Sequence, residues 1–136
     1  MDRSYEEKGD VRMELYGRRP LHPQDARRLR EGRGQGEGLN YISWVLTQDY
    51  ATWGFDSRIP GTLIEREYHT RSEGEANYLY VLERCVPVRD IREHYPLLPL
   101  DETVAIAEAL GVPHAQDPDT GLYRVMTTDF LVTVLE

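Results

Sequence analysis

The chain has 136 residues, of which 16 are Lys or Arg and 24 are Asp or Glu, giving a formal net charge of −8, and 40% are hydrophobic. That is one domain's worth of chain with enough apolar sequence for a core, which excludes wholesale disorder, and its single cysteine, Cys85, excludes an intrachain disulfide or a zinc site built mainly from thiolates. No apolar run is long enough to span a bilayer, and MDRSYEEKGDVRMELYG lacks the apolar segment of a secretory signal, so no membrane contact and a cytoplasmic location are expected.

Residues 1–22 are polar and unpatterned and read as an N-terminal extension, with the domain itself over 23–136. Gln24 to Glu31 favours helix, with Pro23 beside its start and the glycine-rich segment Gly32 to Gly38 as its break. Tyr41, Trp44, Val45 and Leu46 then predict a buried loop or a short strand, and Thr62 to His69 has the β-branched and aromatic content of a strand. Ser72 followed three positions later by Glu75 is a capping-box pattern and opens the clearest helix. In that helix Tyr78, Val81, Leu82 and Cys85 form one apolar stripe at i, i+3, i+4 and i+7. VRDIREHY after Pro87 predicts a strand ended by PLLP at 96–99, and a second helix is expected from Asp101 to Leu110 with Gly111 as its stop. AQDPDTG at 115–121 is a turn, and Val125 to Val134 predicts a central strand covered on both faces. The pattern is mixed α/β.

Charge is unevenly spread. Residues 1–58 hold ten basic and ten acidic side chains, whereas residues 59–136 hold six and fourteen. An acidic second half is not built to capture nucleic acid by charge alone. Arg27, Arg28, Arg30 and Arg33 could contact phosphates from one helix, although Asp25 and Glu31 among them fit a solvated face equally well.

Two carboxylates stand out. Glu75 shares a helix face with Tyr78, Leu79 and Leu82 and so sits at the edge of a buried stripe. Asp129 interrupts the most apolar strand, where a buried carboxylate must be paired or bound to a metal. Such a pair could converge on Mg²⁺, which prefers oxygen ligands. Each has a plainer reading: Glu75 as a capping-box glutamate, and Asp129 as a strand-entrance residue accepting backbone hydrogen bonds. GRGQGEG lacks the lysine and hydroxyl of a phosphate-binding loop, DPDTG lacks the later ligands of a calcium loop, and His22, His69, His94 and His114 have no ligand spacing.

Five segments carry a further likeness: RRLREGRGQGEGLNYISWVLTQD at 27–49, SEGEANYLYVLE at 72–83, DIREHYPLLPL at 90–100, ALGVPH at 109–114 and VMTTDFLVTV at 125–134. In order and spacing they resemble the N-terminal catalytic domain of the TnsA family, the endonuclease subunits of heteromeric transposases. The resemblance covers about residues 24–136. It implies a restriction-endonuclease-like, PD-(D/E)XK fold, in which a mixed sheet is flanked by helices. It also implies hydrolysis of DNA phosphodiesters at the five-prime transposon ends with Mg²⁺, or Mn²⁺ as an alternative. The implied partners are transposon-end DNA, a TnsB-like transposase that cuts the other strand, and a TnsC-like ATPase regulator reached through a C-terminal domain.

The family's helix glutamate falls on Glu75 and its strand aspartate on Asp129, which the resemblance makes catalytic metal ligands. Arg28, Arg30, Arg33, Arg58 and His69 are candidate DNA contacts. The family places a glutamine, and a lysine two residues later, on the strand after the aspartate strand. This sequence ends at Glu136 and its only lysine is Lys8, so neither role is assigned and the fold is expected to be cut short on its C-terminal side. Tyr68, His69, Thr70 and Arg71 stand where the family commonly has His-His-Leu-Leu. The alternative is a non-catalytic relative that binds DNA or transposase without cutting.

Overall fold

The structure is a computed structural model that describes residues 17–49 and 56–135. Most of the expected N-terminal extension, residues 1–16, lies outside the described residues. The ordered elements are α1 (Pro23–Arg30), β1 (Ser57–Pro60), β2 (Glu67–Thr70), α2 (Glu73–Arg84), β3 (Val88–Pro96), α3 (Leu100–Leu110) and β4 (Thr127–Val134), with 3-10 turns at Gly38–Asn40 and Thr47–Asp49. The α/β content is as expected, but the strands form two separate two-stranded sheets, β1 with β2 and β3 with β4, instead of one mixed sheet. The described residues divide into two compact units, 17–27 with 96–126, and 28–49 and 56–95 with 127–135. Among the described residues no helix is long and apolar enough to cross a membrane.

In the first unit α3 buries Leu100, Val104 and Ala107 and stops at Gly111, whose φ of 67° is the left-handed cap that glycine adopts without steric penalty. Asp25 is fully buried, not solvated, and accepts hydrogen bonds from Arg124 Nε and Nη2, each at 3.1 Å, and from the Val125 N–H at 2.9 Å. The expected 115–121 turn closes on Asp117, whose carboxylate accepts from the Asp119 N–H at 2.8 Å and lies 2.7 Å from His22 Nε2. Those contacts, the Asp119 N–H foremost, hold its pKa below the usual carboxylate range. One of its oxygens is thus spent within the turn and the other on His22.

The second unit has its core in Ile59, Tyr68, Leu79, Leu82, Val88 and Ile91, with Ala76, Phe130 and Val132 partly covered against it. Leu79 and Leu82 share the helix face with Glu75, as anticipated. Tyr78, Val81 and Cys85 do not join the buried stripe: Tyr78 and Val81 are more than half exposed and Cys85 is exposed. The core contacts only the narrow face centred on Leu79. The strand expected from Thr62 begins only at Glu67, because the Gly61 N–H donates to the Arg66 carbonyl at 2.8 Å and closes a tight loop. A Cβ on Gly61 would collide with the Ile64 carbonyl oxygen and the Tyr68 ring.

β3 and β4 run antiparallel, since Leu97 N–H donates to Met126 O at one end and Leu135 N–H to Pro87 O at the other. Between those bonds β3 supplies nine residues and β4 eight. The extra residue makes a bulge, and it falls where His94 takes a φ of 44°. A non-glycine residue there costs about 1–2 kcal/mol and needs an external clamp. The clamp is the loop that was expected to be buried: Tyr41 Oη donates to the carbonyls of Glu93 at 2.7 Å and His94 at 3.2 Å, and the Trp44 N–H donates to His94 O at 3.3 Å. Burial, with the Glu93 charge, raises the Tyr41 pKa far above its ordinary value, so the hydroxyl keeps the proton it donates.

Glu93 is completely buried and bonded to Arg66, with Nη2 at 2.7 Å and Nη1 at 3.1 Å, and to the His69 N–H at 2.8 Å. Arg66 lies between the rings of Tyr41 and Tyr68, 5.0 and 4.3 Å from their centroids. Removing one member would strand the other's charge. Glu93→Ala is therefore expected to lower stability by about 3–5 kcal/mol, while Glu93→Leu combined with Arg66→Met recovers most of the loss. Urea unfolding of the three chains measures both.

Candidate metal centre

α2 opens on Ser72, whose Oγ accepts from the Glu75 N–H at 3.0 Å and donates to Glu75 Oε2 at 3.1 Å. Half of a capping box is therefore present, and it uses only one of the two Glu75 oxygens. Oε1 is buried without a hydrogen-bond partner and faces His94 Nε2 at 3.3 Å, an atom equally buried and equally unsatisfied. The two atoms stand at ion-pair distance without closing a hydrogen bond, and buried polar atoms left without one are rare in folded chains.

Asp129 completes the cluster. Glu75, His94 and Asp129 each offer one ligand atom, and these atoms all lie within 4.8 Å of one another. The helix supplies Glu75, the bulge His94 and β4 Asp129. Glu75 and Asp129 also line a groove of about 490 Å³ with Ser72, Gly74, Tyr78, Thr128 and Phe130. Tyr78 and Phe130 meet at 5.6 Å between ring centroids and form its apolar wall.

The carboxylate pair anticipated from sequence is thus brought together, but with one correction. Asp129 is exposed and β4 is only partly covered, because among the described residues the strand pairs with β3 alone. The cost of burying a charge does not explain this aspartate. His94 was missed, since ligands drawn from three elements leave no spacing in the sequence.

The candidate DNA contacts divide by environment. Arg30 and Arg58 are exposed. Arg28 and Arg33 are buried around Asp49, with Arg33 Nη1 donating a hydrogen bond at 2.6 Å and Arg28 Nη2 standing at ion-pair distance, 3.6 Å. Burial pushes the Asp49 carboxyl up, but the hydrogen bonds from Arg33 and the Leu46 N–H and the two guanidinium charges outweigh it and hold it below the usual range. His69 is half-buried, and its Nδ1 accepts from the Thr47 N–H at 3.1 Å.

No family model matches the chain. Against individual proteins, it is 43% identical over 109 residues to the transposon Tn7 transposition protein TnsA of Escherichia coli, a segment covering 80% of this chain. Over that span the chain is TnsA-like. It spans 39% of the length of that relative. In this TnsA-like chain the paired carboxylates and the bulge histidine are the described residues whose chemistry suits a cation.

Burial lowers the His69 pKa against the opposing pull of Glu93 and Glu67. The fold therefore favours neutral imidazole, and the stability it contributes is full above the unfolded value of about 6.5 and is lost as pH falls from there through the lower folded value. The urea midpoint of the wild type is expected to fall between about pH 7.5 and pH 5.5, and to fall less in His69→Asn.

Proposed function

We propose that this TnsA-like chain is the nuclease portion of a transposition endonuclease that hydrolyses DNA phosphodiesters at transposon ends with a divalent cation held by Glu75 and Asp129, on a PD-(D/E)XK-type fold. The observation that carries this reading is the convergence of Glu75 Oε1, unsatisfied and buried, with the carboxylate of Asp129 on one groove of a chain that is 43% identical to a transposition protein. The residues fit a small cation: hard oxygen donors, one of them orphaned, at mutual distances one ion can bridge. A bound Mg²⁺ or Mn²⁺ would polarise the phosphate and lower the pKa of an attacking water.

The remaining roles belong to the chain. Ser72 fixes one Glu75 oxygen and so aims the other at the groove. Asp129, exposed on β4, is the ligand that meets incoming DNA first, and its negative charge repels a phosphate unless a cation lies between them. Tyr78 and Phe130 limit water on one side of the groove. Exposed Arg30 and Arg58 are the proposed backbone contacts, with Arg28, Arg33 and His69 supporting the surface from inside. The acidic second half of the chain favours DNA delivered by a TnsB-like transposase over capture by charge, with TnsC-like regulation outside this segment.

A nicking assay on transposon-end DNA with Mg²⁺ and partner transposase tests the reading. A chain carried through the glutamine- and lysine-bearing strand should cut, and in it Glu75→Gln and Asp129→Asn should each slow cutting by roughly a hundred-fold or more while leaving the circular dichroism spectrum unchanged. Wild-type rates in both variants contradict it. Absence of cutting by that chain, folded and still retaining transposon-end DNA, favours the binding-module alternative.

A further inference from the structure

We infer that His94 is a third metal ligand, and that its imidazole tilts this site away from Mg²⁺ toward first-row transition cations. The inference rests on the proposed carboxylate metal site and adds to it the identity of a ligand and of the metal class. His94 is buried, with 6% of its side chain exposed, yet Nε2 has no hydrogen-bond partner. A buried ring nitrogen without a partner is uncommon, and this one points at the orphaned oxygen of Glu75 at 3.3 Å with Asp129 within the same 4.8 Å cluster. Three unsatisfied or anionic donors around one point satisfy each other through a shared cation.

The backbone supports the assignment independently. His94 occupies the only non-glycine position with positive φ among the described residues, on a bulge clamped by Tyr41 and Trp44. Bulges in strands re-aim a side chain, and strained positions gather at functional sites. A regular β3 would need neither the strain nor the clamp.

The chemistry then sets the metal. Mg²⁺ favours oxygen and retains its waters, whereas imidazole suits Co²⁺, Ni²⁺ and Zn²⁺. One nitrogen and two carboxylates form a mixed donor set that holds a transition ion more tightly than Mg²⁺. The buried position of His94 orients the ring before any ion arrives.

Calorimetric titration of the full chain with Co²⁺ and with Mg²⁺, joined to proton NMR of the Co²⁺-loaded protein, tests this. Wild type is expected to bind Co²⁺ at least about ten-fold more tightly than Mg²⁺, and His94→Gln to lower Co²⁺ affinity about ten-fold or more with Mg²⁺ affinity changed less than about two-fold. Co²⁺ should also produce a far-shifted, solvent-exchangeable imidazole N–H resonance that His94→Gln abolishes. That signal in the wild type reports ligation even where a variant folds poorly. If Glu75→Gln weakens both metals while the shifted resonance is missing and His94→Gln leaves the Co²⁺/Mg²⁺ ratio unchanged, the carboxylate site stands and the histidine ligand is overturned. If neither metal binds the wild type, both readings fall.

Discussion

The buried pair between Arg66 and Glu93 is the constraint on which the second unit depends. A carboxylate with no exposure is tolerable only because guanidinium and amide donors surround it, and those donors come from the β1–β2 hairpin. The pair therefore ties the hairpin to β3 at one register. Tyr41 joins the same assembly from both sides, with its ring on Arg66 and its hydroxyl on the carbonyls of Glu93 and His94. The bulge is fixed by polar groups with little freedom, and His94 inherits that rigidity.

Local elements with a strong end signal were legible in the sequence. The Ser72 cap, the Gly111 stop and the turn at Asp117 all have a one-residue mechanism, and each is where that mechanism puts it. Burial was less legible. Tyr78 and Val81 have the right spacing for a core stripe but stay more than half exposed, since the core meets only the face of α2 carrying Leu79 and Leu82. The apolar run of β4 looked like a strand buried on both faces, yet it has one neighbour and Asp129 is exposed.

The site was half legible. Glu75 carries a signal of its own, being polar at the edge of an apolar face. Asp129 was found for a reason that does not hold, since its supposed burial is absent. His94 had no signal, because its position depends on an extra residue in β3 and on contacts from the 41–44 loop, and neither can be counted from one strand's sequence. Four of the five basic candidates looked alike in sequence, and only packing separates Arg28 and Arg33, buried beside Asp49, from the exposed Arg30 and Arg58.

These features make one arrangement: a helix cap that uses one glutamate oxygen, a clamped bulge that carries a histidine, and an exposed strand aspartate, with their ligand atoms within 4.8 Å of one another. Anomalous diffraction from crystals grown with Mn²⁺ tests that convergence most directly. A single strong peak at about 2.0–2.3 Å from Glu75 Oε1, His94 Nε2 and an Asp129 oxygen is the predicted result. A peak bound only at other surface carboxylates, or a groove with Glu75 Oε1 and His94 Nε2 joined by a simple hydrogen bond and no ion at saturating Mn²⁺, would contradict it.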